Sequence, residues 1–420
     1  MNAQTFSAAA LLFAVPYSTC AQEPARAPTP LAQLIAEAKK SNPQVLGAEH
    51  TWRAATQVRK QVTTLPNPQF TLQEFSVGSP KPFAGFNTSN FSYIGIGASQ
   101  ELPYPGKLRL KGEAADRAAD VQRAHAAVIQ ASVEDQIKAA YFRLAYLQKT
   151  LALLDESRDT LGSVIESELA RYRTGGGSQA DVLKGQLERT KLLREVTMRS
   201  EEKAQVEADL KQLLHRPQES PNIAAQDLAM TELHYTSADL LGFVQKQNPQ
   251  VKFEGTAVEK EQAQLRSAER AGKPDFSVGY MYQRTGDDFP AYYMLTFNVI
   301  LQRRQRVRAQ AAEAAESVKA AEEQRDGELQ MQLAEVQKEY VAATSTAEEV
   351  KQYREGMIPQ AEAAFRAVLA DYEANNKQQM DAVLTSFNDV LALKREYEQT
   401  LLEHETAVAK LETLTGETLR

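Results

Sequence analysis

The chain has 420 residues, 43% of them apolar and 25% charged, with a formal net charge of −7. This length predicts more than one structural unit, and the acidic balance argues against a nucleic-acid binder, which would show a basic patch or stripe. No stretch approaches the roughly 20 apolar residues of a membrane-spanning helix, so any membrane-embedded part must be β-structure.

At the N-terminus, residues 6–15 are a short apolar run followed by small residues at Ser18, Thr19 and Ala21. Thr19-Cys20-Ala21 fits a small-x-small cleavage site, so residues 1–21 read as an export signal. No basic residue precedes the run, the first being Arg26; an apolar tail without an export role is the alternative. Cys20 is the only cysteine, which excludes an intrachain disulfide and cysteine chemistry beyond residue 21.

The remainder is a duplication. Asn42-Pro43-Gln44-Val45 recurs as Asn248-Pro249-Gln250-Val251, and Pro68-Gln69-Phe70 as Pro274-Asp275-Phe276, both at a shift of 206. Leu169-Ala170-x-Tyr172 recurs as Leu369-Ala370-x-Tyr372, and Asp181 matches Asp381, at a shift of 200. The six-residue difference fits one loop, 13 residues long at 78–90 and seven at 284–290. Loop tips are where length change is tolerated. The expected units are a first repeat over 22–216, a linker over 217–236 and a second repeat over 237–420.

Each repeat opens with a helix, over 31–65 in the first copy. Asn42-Pro43 and Asn248-Pro249 read as N-caps with proline at the first helical position. Two short aromatic and β-branched segments follow, 70–77 with 91–100, and 276–283 with 291–300. In 276–283, Phe276, Val278, Tyr280 and Tyr282 share one face, which is strand periodicity. The lengths suit membrane strands of about 9–11 residues, although alternation alone leaves a small soluble sheet equally open.

A very long helix comes next. No proline lies between Pro105 and Pro217, and apolar or small residues recur from Ile137 to Tyr172 at coiled-coil spacing. A helix over 107–173 would be on the order of 100 Å long. It ends at Gly175-Gly176-Gly177, where a turn is nearly forced. Ser178 then caps a returning helix that runs to about Arg216, with Asp181 in the capping-box position. The second copy repeats this from about Gln305, with its tip at Asn375-Asn376. Pro359 has no counterpart in the first copy, and a kink or break is expected there.

One chain supplies four strands, too few to close a barrel, and an open sheet edge is not tolerated in lipid. Membrane strands would therefore require oligomerisation, three copies giving about 12 strands above a tube of helical hairpins. The expected fold is thus mainly α with a small membrane β part.

Tyr172-x-Thr174-Gly175-x-Gly177-Ser178-Gln179-Ala180-Asp181-Val182-Leu183, followed by Gln186-x-Glu188, resembles the hairpin-tip motif of TolC-family outer membrane factors. Leu210-x-x-Leu213-Leu214-x-Arg216-Pro217, Pro359-Gln360-Ala361-Glu362-Ala363 and Leu411-x-x-Leu414-Thr415-Gly416 are similar to theirs as well. Departures are Asn375, where the family usually has glycine, and Thr385, near where it often has a second aspartate. The resemblance implies a homotrimer in outer membrane lipid with its helical part in the periplasm. It implies a passive efflux duct, served by a periplasmic adaptor and an inner-membrane pump of RND type. Gly175, Gly176, Gly177, Asn375 and Asn376 would then be adaptor contacts, and Tyr172, Arg173, Asp181, Tyr372 and Asp381 gate candidates. Helix capping is the plainer role for Asp181. Cys20 would be a lipid-anchor candidate, although the residues before it match a lipobox poorly. The joint Gln100-Glu101-Leu102-Pro103-Tyr104-Pro105-Gly106-Lys107 resembles a motif of the heavy-metal cation efflux branch, although a strand-to-helix joint needs Pro and Gly in any case.

Enzyme chemistry and cofactors are not expected. His50, His125, His215, His234 and His404 lack ligand spacing, and the triple glycine lacks the Lys-Ser/Thr of a phosphate loop. Trp52 reads as packing. The competing function is a soluble or peripheral coiled-coil scaffold; an adaptor fits less well, since adaptors carry one hairpin flanked by small β-domains.

Overall fold

The structure, a computed structural model, describes residues 28–286, 288, 290–375 and 380–419. The expected export signal over 1–21, Cys20 and Asn376 lie outside the described residues.

The opening helix expected over 31–65 is two helices, α1 (Leu31–Ser41) and α2 (Pro43–Thr63). Asn42 between them has φ −66° and ψ 124°. A following proline clashes with a helical predecessor and pushes it into extended backbone. The Asn42 side chain then caps α2 by accepting from the Gln44 and Val45 amides at 2.8 and 3.3 Å. The second repeat does the same with α5 (Ser237–Gln247) and α6 (Pro249–Ala271), where Asn248 accepts from the Val251 amide at 2.9 Å.

Four strands follow these helices in pairs: β1 (Gln69–Phe75) with β2 (Tyr93–Leu102), and β3 (Asp275–Arg284) with β4 (Tyr292–Ile300). Both hairpins are antiparallel, and β2 also pairs antiparallel with β3, so the repeats share one sheet of order β1-β2-β3-β4.

The long helix α3 (Lys107–Arg173) covers 67 residues and returns through α4 (Gln179–Leu213). In the second repeat α7 (Arg304–Gln352) passes through a π turn (Tyr353–Met357) into α8 (Ile358–Asn375), and α9 (Met380–Thr415) returns. The disturbance expected at Pro359 takes this form. Proline has no amide to donate and its ring collides with the carbonyl four residues earlier, that of Glu355. Widening the preceding turn relieves the collision, and the Ile358 amide reaches back five residues to the Tyr353 carbonyl. The helix is therefore widened rather than broken.

Along α3 the spaced residues Ile137, Tyr141, Leu144, Leu147, Leu154, Leu161 and Ile165 are buried. They divide between a central cluster with α1, α4 and residues 223–225, and a cluster nearer the tips with α8 and α9. Tyr172, the last member of the predicted stripe, is exposed.

Residues 217–236 form neither helix nor strand, yet they are held closely. The Gln226 amide donates to the Tyr141 hydroxyl, the Ala225 amide to Gln148 and the Thr231 amide to Glu405, at 2.8, 3.1 and 2.7 Å. His404 of α9 is 1% exposed, with Nε2 2.8 Å from the Thr231 carbonyl.

At the waist of each repeat, one asparagine does two jobs. Asn42 Nδ2 donates to the Leu213 carbonyl, at the end of α4, at 2.8 Å. Asn248 Nδ2 donates to the Leu414 carbonyl, at the end of α9, also at 2.8 Å. Both side chains are buried. Each satisfies an orphan amide at one helix start and an orphan carbonyl at another helix end.

Candidate functional site: the sheet faces and the hairpin tips

The strand register sorts the sheet into two unlike faces. On one, the rows are Phe70-Ala98-Tyr280-Leu295 and Leu72-Ile96-Tyr282-Tyr293, continued by Val278-Phe297 and Leu102-Phe276-Val299. On the other, the rows include Gln69-Ser99-Gly279-Thr296 and Glu101-Ser277-Asn298, where Asn298 donates to Ser277 at 3.0 Å. The apolar face is bare: Phe70, Leu72 and Leu295 are 82%, 77% and 75% exposed. Leaving such side chains in water forgoes about 1.5–3 kcal/mol each. A patch of this kind marks a surface built for an apolar environment or a partner. The outer edges of β1 and β4 carry no strand among the described residues.

The strand-to-helix joint is built around Asp275, the first residue of β3. It accepts from the Tyr104 amide at 2.9 Å and from Lys107 Nζ at 2.8 Å. Gly106 caps α3 at φ +93°, a left-handed conformation that glycine adopts freely. Arg270 lies over the Tyr104 ring at 5.1 Å and donates to the Pro105 carbonyl at 3.1 Å. Tyr104, Pro105, Gly106 and Lys107 of this motif thus each have a joint-making role. Among the described residues no group of three or more His, Cys, Asp or Glu side chains is placed to hold a metal ion.

At the first tip α3 ends in a left-handed turn. Gly175 has φ +80°, and the Gly176 amide donates to the Arg171 carbonyl at 2.9 Å. Gly177 is small because it must be: a Cβ there would collide with the Glu168 carboxylate. Glu168 is 1% exposed and accepts a hydrogen bond from the Tyr372 hydroxyl of the second hairpin. Arg171 closes the cluster. Its guanidinium is 3.6 Å from Glu168, lies over the Tyr372 ring at 4.2 Å and donates to the Tyr372 carbonyl at 3.3 Å. Burial, then the hydrogen bond and charge of Glu168, push the Tyr372 hydroxyl far above its ordinary pKa.

A second link lies one turn along α4. Lys184 Nζ is 2.8 Å from Asp381 and 3.7 Å from Asp181, joining the two hairpins. The hydrogen bond to Asp381, foremost, raises the Lys184 pKa. Ser178 caps α4 as expected, accepting from the Asp181 amide at 3.2 Å. The Asp181 carboxylate, however, is engaged by Lys184 rather than completing a capping box; Thr236 and Asp239 form the complete box, at the start of α5.

The five gate candidates therefore separate. Asp181 and Asp381 meet on Lys184, Tyr372 joins Glu168 and Arg171, and Tyr172 and Arg173 are exposed. Asn375 is the last residue of α8. Sequence reasoning missed Glu168, Arg171 and Lys184. Lys184 left a trace in its i,i+3 spacing from Asp181. Glu168 left none, because its partner is 204 residues away.

Residues 34–214 match the sequence profile of the outer membrane efflux protein family. No curated protein matches the chain in sequence. In fold, the chain is similar to the outer-membrane channel OprN, at a TM-score of 0.77 and 16% identity, over 92% of this chain and 89% of that one. It is similar to the outer membrane protein VceC of Vibrio cholerae at 0.75 and 18%, over 93% and 97%. It is similar to CusC, described in terms of transmembrane channel formation, at 0.77 and 15%, over 92% of each chain. The profile match falls on the first repeat, and the likenesses in fold extend the same architecture over both.

Proposed function

We propose that three copies of this chain form a passive outer membrane exit duct. The observation that carries this is the sheet, with one bare apolar face, a more polar face opposite and two edges without a partner strand among the described residues. A four-stranded sheet with open edges cannot stand in lipid. Three of them, joined edge to edge, give a barrel of about 12 strands with lipid outside and water within. The hairpins then continue the duct into the periplasm. Each chain contributes two, with tips at 175–177 and just beyond Asn375 offered to a periplasmic adaptor, which couples the duct to an RND-type inner-membrane pump. A peripheral scaffold would have no use for the apolar face.

Membrane fractionation tests the reading. The protein is expected to require detergent for release and to run as a trimer; recovery in the soluble fraction would sink the proposal.

In this reading the two tip links hold the periplasmic end closed. Asp181→Asn combined with Asp381→Asn frees Lys184 from the second hairpin, and single-channel conductance in planar bilayers is expected to rise. Unchanged conductance would remove these residues from the gate. Heavy-metal cations are the cargo suggested by the joint motif. Accumulation of zinc and copper in a strain lacking the protein, compared with accumulation of a fluorescent dye, tests that choice.

A further inference from the structure

The apolar face of β4 runs straight into a cluster of arginines. Leu301 continues the alternation of Leu295, Phe297 and Val299 and is 77% exposed. The next residues are Gln302-Arg303-Arg304-Gln305-Arg306-Val307-Arg308. All four arginines are exposed, and among the described residues none has an ion pair or a side-chain hydrogen bond. Elsewhere in the chain basic side chains are commonly paired, as at Lys107, Arg216 and Arg266.

Their position makes this unusual. Arg303 occupies the N-cap of α7 without a side-chain cap, and the first turn has no acidic residue. A helix N-terminus carries partial positive charge and favours anions. Arg304 and Arg308 are also like charges at i,i+4, which repel. The first repeat does not share the arrangement: its corresponding stretch is Pro103-Tyr104-Pro105-Gly106-Lys107, with Lys107 held by Asp275.

Helical geometry assigns the arginines to two sides. Arg306 lines a cavity of about 730 Å³ together with Gln302, Gln310, Glu101 and Asp275. Glu101 and Asp275 lie on the face of the sheet opposite Leu102 and Phe276. Arg304 and Arg308 each lie roughly 160° around the helix from Arg306, hence toward the apolar side. Arg303, in extended backbone two residues after Leu301, keeps the alternation of the apolar face.

We infer that Arg303, Arg304 and Arg308 form a basic rim that binds the phosphate groups of anionic phospholipids at the periplasmic edge of the membrane band. The inference rests on the duct reading above. Guanidinium forks match phosphate oxygens bidentately. Acyl chains against Leu301 and Val299 place those phosphates within one helical turn of the arginines. That adjacency selects a lipid over a free anion.

The experiment uses the full-length trimer in dioleoylphosphatidylcholine vesicles. Electron spin resonance measures the association of spin-labelled phosphatidylglycerol relative to spin-labelled phosphatidylcholine. Each arginine near an anionic headgroup layer is worth roughly fivefold, so the wild type is expected to prefer phosphatidylglycerol by about fivefold or more. The R303Q/R304Q/R308Q variant should lose the preference, and R303K/R304K/R308K should keep most of it. Equal association of the two lipids with the wild type, or full preference in the glutamine variant, would overturn the rim. So would loss of the preference to inorganic phosphate at matched ionic strength, which would mean a free-anion site. Dissociation of the trimer in the glutamine variant would overturn it too, assigning the arginines to a neighbouring copy. Failure to enter phosphatidylcholine vesicles at all would overturn the duct reading, and the rim with it.

Discussion

The two repeats agree at the waist and differ at their ends. At the waist, Asn42 and Asn248 each cap the helix that follows and donate to a carbonyl at the end of a returning helix at 2.8 Å. At the tip, only the first repeat carries the buried acid: Glu168 aligns with Val368, and Tyr372 crosses over to meet it. Along the outgoing arm, α3 is one helix, whereas its counterpart is interrupted by a π turn. A duplication keeps equivalence where both copies must close their own helices. It sheds equivalence where one copy must meet the other, because a contact between repeats needs unlike partners.

The largest expected effect tests the equivalence. Asn42→Ala and Asn248→Ala each remove a helix cap and leave a carbonyl of the waist unpaired. Each should cost about 2–4 kcal/mol, and thermal unfolding should show the two losses to be alike within about 1 kcal/mol. A strongly unequal pair would break the comparison. Next comes the asymmetry at the tip. Tyr372→Phe takes a hydrogen bond from a buried carboxylate and should cost about 1.5–3 kcal/mol, with a rise in channel conductance. Gly177→Ala should displace Glu168 and raise conductance likewise; a stable, closed Gly177→Ala channel would show that the tip does not depend on Glu168.

A smaller effect separates the repeats by pH. In the first, Arg216 donates to Glu37 at 2.6 and 2.5 Å. The hydrogen bond from Arg216, with its charge, holds the Glu37 carboxyl below its ordinary value of 4.5 despite some burial. Because the folded pKa is depressed, this tie stabilises the protein above that value and is lost as pH falls through the folded one. Glu37→Gln should therefore cost about 1 kcal/mol at neutral pH and nothing in strong acid, as read from unfolding midpoints across a pH series. The smallest effect concerns the π turn. Pro359→Ala should move stability by less than about 1 kcal/mol, since the wider turn already accommodates proline, while slowing amide exchange over 353–358. Unchanged exchange there would mean that the proline does not cause the turn.

Much of the fold was legible in the sequence because local rules govern it. Proline and glycine mark the ends of α3, and alternation marks the strands to within two residues. The break at Asn42 was half visible: the cap was read, but not that residues 31–41 would form a helix of their own before it. The tip chemistry was legible only where partners are near in sequence, as for Ser178 with Asp181. Glu168 sits beside a predicted core position and looks like an ordinary solvated charge until the second hairpin covers it. The pairing of β2 with β3, which fuses the repeats into one sheet, joins residues 174 apart at its closest register and has no local signature.

The paired asparagines also bear on how such a chain can change length. Each pins the path of the backbone to itself, so that one repeat is a closed circuit with a fixed crossing point. Residues added between the crossing and either extremity can be taken up there, at the strand loop or at the hairpin tip. Residues added at the crossing would pull the knotless loop open. The six-residue disparity between the copies falls at an extremity, in the loop between paired strands, where the circuit can grow without moving its clasp.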